Sequence, residues 1–211
     1  MSGGLALGAG ALYVGTSEKT AHIHSYDLDG RPLAAAFSFR GRDGAAARVS
    51  GLCVDSDRRL WIADSAGACL WGFSVFGREL VHIKGERADR SGSLGAPISV
   101  ASIGEDAGQE LVVASRGSRR HALHILPVEQ GAGEGISIRP EGLHDKLFDD
   151  LIHVHTSGEL LLACERRTNR VQIFKDREFH YAIDPVSSEG AELRCARTTG
   201  DGRFVCAFGG K

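Results

Sequence analysis

A short apolar phrase recurs along this chain about every 48 residues. It reads Leu12-Tyr13-Val14-Gly15, Leu60-Trp61-Ile62-Ala63, Leu111-Val112-Val113-Ala114, Leu160-Leu161-Leu162-Ala163 and Phe204-Val205-Cys206-Ala207. The first residues lie 48, 51, 49 and 44 apart. Each phrase is rich in strand-forming residues and bounded by Gly, Asp or Ser, so each reads as a β-strand. A period of this length with β-type content predicts an all-β β-propeller, one four-stranded antiparallel blade per period.

The second period is the most regular. Leu52-Cys53-Val54 reads as a first strand, Asp55-Ser56-Asp57-Arg58 as a polar turn and Leu60 to Asp64 as a second strand. Ser65-Ala66-Gly67-Ala68 is a loop, Leu70 to Phe76 a third strand and Glu79 to Ile83 a fourth, after the Gly77-Arg78 turn. In the first period Asp29-Gly30 supplies a tight-turn signal between two runs. The blades are predicted over 4–40, 50–84, 97–138 and 150–184, with a partial blade over 191–210. One propeller domain over 1–211 is expected, holding about four and a half blades in an open or incomplete ring.

Aligned columns point to one shared packing environment. The Ala63 position holds Gly15, Ala114, Ala163 and Ala207, small residues that let adjacent blades approach. Third-strand columns hold Ile23, Leu70, Leu123 and Val171, then Tyr26, Phe73, Leu126 and Phe174. Their three-residue spacing departs from period-2 alternation, which predicts a bulge or two-sided burial.

Composition narrows the functional classes. A formal charge of −2 argues against a generally basic nucleic-acid binder. No run approaches the ~18 apolar residues of a membrane span, so no membrane association is expected. The N-terminus lacks the pattern of a signal peptide. Cys53, Cys69, Cys164, Cys195 and Cys206 form no CxxC pair and read as reduced core residues, which suits a cytoplasmic protein.

Gly51-Leu52-Cys53-Val54-Asp55 through Leu60-Trp61-Ile62-Ala63-Asp64-Ser65 resembles an NHL repeat, and so does Thr168-Asn169-Arg170-Val171-Gln172-Ile173-Phe174. The resemblance covers most of the chain and is sharpest in the second and fourth periods. It implies a propeller commonly of six blades. An arc of four and a half would leave blade faces and strand edges open, which invites association. The expected explanations are a homo-oligomer that covers the open side, a fragment of a longer protein, or a mis-assigned half blade.

Charge placement is the one functional signal. In a blade the loops between strands two and three, and between blades, share one face, here called the top. On that assignment the top carries fifteen cations against nine anions, and the bottom seven against fourteen. Arg116, Arg119 and Arg120 in one loop and Arg166, Arg167 and Arg170 in the next are predicted to sit side by side. The planar guanidinium fork suits carboxylate and phosphate. The NHL resemblance points the same way, since RNA-binding members use a positive top face. Against RNA, neither loop holds an aromatic residue for base stacking.

The expected function is therefore a non-catalytic recognition or scaffold module that binds a protein or anionic ligand at these six arginines, without cofactor. The first alternative is a metal-dependent hydrolase or lyase of the six-bladed type. Its channel candidates are Asp55, Asp150, His153 and His155, the last two able to present imidazoles on one side of a strand. Asn is confined to Asn169, which is poor material for such a site, and no third metal ligand stands out. The second alternative is an oligomerisation module without a ligand.

Overall fold

A computed structural model of the chain describes residues 3–34, 36–84, 94–104, 109–117, 121–128, 136–138, 148–187 and 190–210. Its strands form antiparallel sheets in chain order. Blade 1 holds β1 (Gly3–Gly8), β2 (Ala11–Ser17), β3 (Ala21–Tyr26) and β4 (Phe37–Phe39). Blade 2 holds β5 (Val49–Val54), β6 (Arg59–Asp64), β7 (Cys69–Ser74) and β8 (Glu79–Lys84). Blade 3 holds β9 (Ala96–Ile103), β10 (Glu110–Arg116), β11 (His121–Pro127) and β12 (Ile136–Ile138). Blade 4 holds β13 (Leu151–Ser157), β14 (Leu160–Glu165), β15 (Arg170–Lys175) and β16 (Glu178–Ile183). A half-blade of β17 (Glu192–Thr198) and β18 (Phe204–Gly209) follows.

The first strands lie side by side, β1 against β5, β5 against β9, β9 against β13 and β13 against β17. This is the expected propeller arrangement with its ring open, since among the described residues no sheet joins blade 1 to the half-blade. Apolar cores fill the four spaces between successive blades. Tyr13 and Ile23 of blade 1 meet Leu52, Leu60 and Ile62 of blade 2. Trp61 and Ala63 meet Val100, Leu111 and Val113. Val112 and Ala114 meet Val154, Leu161 and Ala163, and Leu162 and Cys164 meet Ala196 and the partly buried Phe204 and Cys206.

The strand register corrects one alignment. Leu60 pairs with Phe73, Leu111 with Leu126 and Leu12 with Tyr26, but Phe174 pairs with Leu161 rather than Leu160. The fourth phrase therefore begins at Leu161, and its small-residue position is Cys164, paired with Val171, instead of Ala163. Three leucines in a row hid the one-residue slip. The third-strand columns were unaffected. Their three-residue spacing reflects two-sided burial, as in β7 where Cys69 through Phe73 are all buried. Bulges accompany it where the third strand pairs with the fourth, at Gly72/Phe73 and Ile173/Phe174, and occur again between first and second strands in blades 2, 3, 4 and the half-blade.

Close approach of the first strands requires small residues. A Cβ on Gly51 would stand 2.7 Å from the Ser99 Cα, and one on Gly4 would stand 3.0 Å from the Gly51 carbonyl carbon. Hydroxyl groups then join neighbouring blades. Ser50 Oγ donates to the Pro97 carbonyl at 2.7 Å, Ser102 Oγ to that of Val54 at 3.3 Å and Thr156 Oγ1 to that of Ser102 at 2.5 Å.

A second repeated device closes blades 2, 3 and 4 at the top. The buried Asp64 accepts from Arg48 N (2.8 Å), Ala66 N (3.1 Å), Gly67 N (3.0 Å) and Trp71 Nε1 (3.4 Å). In blade 4 the buried Glu165 accepts from Asp149 N (2.5 Å), Thr168 Oγ1 (3.4 Å) and Gln172 Nε2 (3.0 Å). In blade 3 the buried Ser115 Oγ meets His124 Nε2 at 2.7 Å. Trp71, His124 and Gln172 occupy one register position, each next to the residue that faces the small column.

Two stability outcomes follow from this packing. Leu161→Ala should destabilise the protein by about 3 kcal/mol, the usual penalty for a buried leucine, and Leu160→Ala by clearly less. Asp64→Ala should cost about 3 kcal/mol because it removes four hydrogen bonds at once and strands the buried Trp71 indole N–H. Urea midpoints at unchanged denaturant slope measure both.

Candidate functional site

The top face between blades 3 and 4 is where the predicted arginines meet. It is built from the end of β10, the 166–169 turn and the segment that enters β13. The turn is fixed from beneath by Glu165 and closed by Asn169, whose φ of 49° matches that of Ala68 in blade 2. Arg166 N donates to the Asp150 carbonyl at 3.1 Å, just as Ser65 N donates to that of Arg48 at 3.0 Å. The turn is thereby tied to the connection between blades.

Arg116 and Arg166 converge on one carboxyl group. Arg116 Nη2 lies 3.4 Å from Asp150 Oδ1, and Arg166 reaches Asp150 Oδ2 through Nε at 2.7 Å and Nη2 at 2.6 Å. Arg167 Nε donates to Asp149 Oδ2 at 2.7 Å, and Arg170 Nε to Asp184 Oδ1 at 2.9 Å. Arg116 Nε also donates to His121 Nε2 at 3.2 Å. Burial, with the adjacent Arg116 charge, holds the His121 imidazole below its ordinary pKa. Arg119 and Arg120 lie outside the described residues.

So the structure does bring Arg116, Arg166 and Arg167 together, with Arg170 at the outer end of the same turn. Sequence reasoning counted Asp149 and Asp150 as top-face anions but did not pair them with particular arginines. The guanidinium groups are held in place by carboxyl partners and keep unused donors. Arg167 engages its partner through Nε, and its side chain is 76 % exposed.

The channel candidates are placed differently. His153 and His155 stand two apart on β13. His153 Nδ1 lies 3.3 Å from Ser99 Oγ, while its Nε2 is buried without a hydrogen-bond partner. His155 Nε2 lies 3.3 Å from Thr198 Oγ1, and its Nδ1 lies 3.5 Å from Arg197 Nη1. Asp55 is turned away into its own blade, where it accepts from Arg59 and Trp61. Asp150 belongs to the arginine cluster. Among the described residues no group of three or more His, Cys, Asp or Glu side chains converges on one point. The Arg197 charge sits where a cation bound at His155 would be repelled.

One concavity was invisible in the sequence. A cavity of about 480 Å³ opens between blades 3 and 4 near the bottom, with Val112, Ile125 and Leu161 in its wall. Val112 occupies the register position of Trp61 in blade 2, since it follows the residue equivalent to Leu60. Arg177 spans its rim, with Nη2 at 2.8 Å from both Glu110 carboxyl oxygens.

Burial holds the inner imidazoles neutral. Desolvation first, then Arg197, then His155 push His153 down to about 3. Desolvation and then Arg197 bring His155 to about 4, and desolvation alone brings His124 to about 4. Thiol groups shift the other way, with Cys69 and Cys164 pushed up to about 12, chiefly by burial.

The imidazole shifts fix a pH dependence. As pH falls below the ordinary histidine value of about 6.5, the unfolded chain takes up protons that the folded chain refuses. Stability should therefore be full above about pH 6.5 and fall towards pH 4. Each such histidine steepens the slope by at most about 1.4 kcal/mol per pH unit. Chemical unfolding from pH 7.5 to 4.5 should show this loss, and His124→Gln should flatten it.

No protein-family model matches the chain, and no curated protein matches it. Solved structures do. The β-propeller domain of Cps50 (Swd1) from Myceliophteria thermophila shares 14 % identity at a TM-score of 0.63, with 94 % of this chain and 59 % of that one covered. Glutaminyl cyclase from Myxococcus xanthus shares 15 % at 0.60, with 98 % and 85 % covered. Streptogramin B lyase shares 13 % at 0.63, with 97 % and 67 % covered. The chain spans 54 to 60 % of the length of three propellers it matches. At such identities the likeness shows the β-propeller fold alone, and these neighbours include both enzymes and WD40 domains.

Proposed function

We propose that the chain is a recognition module of NHL-type blades, whose top face between blades 3 and 4 binds an acidic protein surface. The observation that carries this reading is the cluster of Arg116, Arg166 and Arg167 around Asp149 and Asp150. Carboxyl partners fix the guanidinium groups before a ligand arrives, which lowers the ordering cost of binding. Free guanidinium donors remain for a second carboxylate, and the planar fork suits two oxygens at once. The NHL assignment rests on the sequence phrases around Leu60 and Val171.

The interaction is mainly electrostatic and between exposed groups, so salt must weaken it. A labelled oligo-glutamate peptide followed by fluorescence anisotropy is the probe. Arg116→Glu with Arg167→Glu should weaken binding about tenfold or more, the scale of one lost charge-assisted hydrogen bond. Arg203→Glu, on the opposite face, should leave it unchanged. Equal affinity in the double variant and the unaltered protein would remove the top face from consideration.

A further inference from the structure

The cavity between blades 3 and 4 is walled by two complete sheets, each of four strands. Comparison with blade 2 shows why it is there. In blade 2 the Trp61 ring lies over Gly72, with its Cζ3 3.0 Å from where a Cβ would stand, and its Nε1 donates to the Asp55 carboxyl group at 2.8 Å. One side chain thus reaches from the core to the bottom turn. The register positions of Trp61, Gly72 and Asp55 hold Val112, Ile125 and Ile103 in blade 3. Short branched side chains do not reach that far. A space of about 480 Å³ opens instead, with Leu161 of blade 4 in its wall. Pockets of roughly 300–1,000 Å³ are the size that takes small organic ligands.

The polar side chains of the lining are acceptors, with one exception. The Ser102 hydroxyl donates to the Val54 carbonyl at 3.3 Å, and the Thr156 hydroxyl to that of Ser102 at 2.5 Å. Their protons are committed, so each has only lone pairs left to offer. Glu110, Glu159 and Asp176 add carboxyl groups. The exception is Arg177, which lies across the rim with Nη2 at 2.8 Å from both Glu110 oxygens. Its turn aims it there. Asp176 and Arg177 have left-handed backbone, with φ of 50° and 70°, in a two-residue hairpin of the kind that usually takes Asn-Gly. Arg177 therefore offsets Glu110, and Lys175 Nζ stands 3.5 Å from Glu159. Asp176 has no ion-pair partner among the described residues.

We propose that this cavity binds a small organic cation, with its apolar body against Val112, Ile125 and Leu161 and its ammonium group at the rim beside Asp176 and Glu159. The apolar wall selects the body. Committed hydroxyl protons and a surplus of carboxyl groups select a positively charged donor for the rim. An anionic ligand would face Asp176 and Glu159, and it would have to displace Glu110 from Arg177.

Ligand-observed NMR titrations with phenethylamine, phenethyl alcohol and phenylacetate test it, since the three share a body and differ in charge. The amine should bind, the alcohol more weakly and the acid least. Asp176→Asn with Glu159→Gln should weaken the amine about fivefold or more, the scale of one exposed charge contact, and asparagine keeps the backbone this turn demands. Arg177→Gly should tighten the amine about threefold or more, because it frees Glu110 and glycine accepts the same backbone. Val112→Trp with Ile125→Gly, which copies blade 2, should abolish binding of all three. If that variant loses its native circular dichroism, the exposed charge variants decide alone. No binding of the amine, an alcohol or acid that binds as tightly, an Arg177→Gly variant that binds the amine more weakly, or a filled cavity that binds it unchanged would each overturn the proposal. So would charge variants that leave the amine unaffected.

Discussion

A buried hydrogen-bond acceptor at the end of the second strand holds each well-formed blade together. Asp64 illustrates the logic. It sits at the junction of three segments that share no backbone ladder: the connection entering blade 2 at Arg48, the 65–68 turn and β7. Each of those segments aims N–H groups at this one buried carboxyl group, and the Trp71 indole does so from within the apolar core. Left unpaired they would cost more than any single packing contact returns. Glu165 serves the same three segments in blade 4, and its extra methylene lets it reach Asp149 N, one residue earlier than the position equivalent to Arg48. In blade 3, among the described residues, Ser115 meets His124.

That acceptor also explains why the arginine cluster forms where it does. Glu165 fixes the turn that carries Arg166 and Arg167, and through Asp149 N it fixes the segment carrying their carboxyl partners. The exposed pairs add little stability of their own. Their geometry is inherited from the buried group beneath. The arginine cluster thus stands on a rigid support, although its own charges are solvated.

Much of this architecture was legible in the sequence, because the period and the third-strand columns report packing that every blade repeats. Leu70, Leu123 and Val171 were matched correctly since one apolar position has one neighbour in each core. The second strand of blade 4 was not, since Leu160, Leu161 and Leu162 give no contrast from which to read a register. Only the buried Glu165, equivalent to Asp64, marks the true phase, and a carboxyl group does not look like core until its donors are seen. Loop order brought Arg116, Arg166 and Arg167 to one place, while Arg119 and Arg120 lie outside the described residues. The pairing of arginines to Asp149, Asp150 and Asp184 depends on side-chain reach across blades, which spacing along the chain does not encode. Arg197 beside His155 escaped notice for the same reason.

In an array like this, each blade is stabilised by its own sheet and by its neighbours, so the ends are the weakest places. The half-blade shows how two strands are held on a neighbouring sheet. It buries Leu193 and Ala196 against blade 4, but two strands make a marginal sheet. Asn169 supplies the rest: its Nδ2 donates to the Ala191 carbonyl at 2.9 Å, and its Oδ1 accepts from Leu193 N at 2.8 Å. Asn tolerates the left-handed backbone that this turn demands, and its amide both donates and accepts. Ala68, at the matching place in blade 2, has the backbone but not the amide, and there the following blade is complete with four strands. The only asparagine in the chain therefore ties blade 4 to the strand that follows it. One side chain thereby joins two successive sheets that share no backbone ladder.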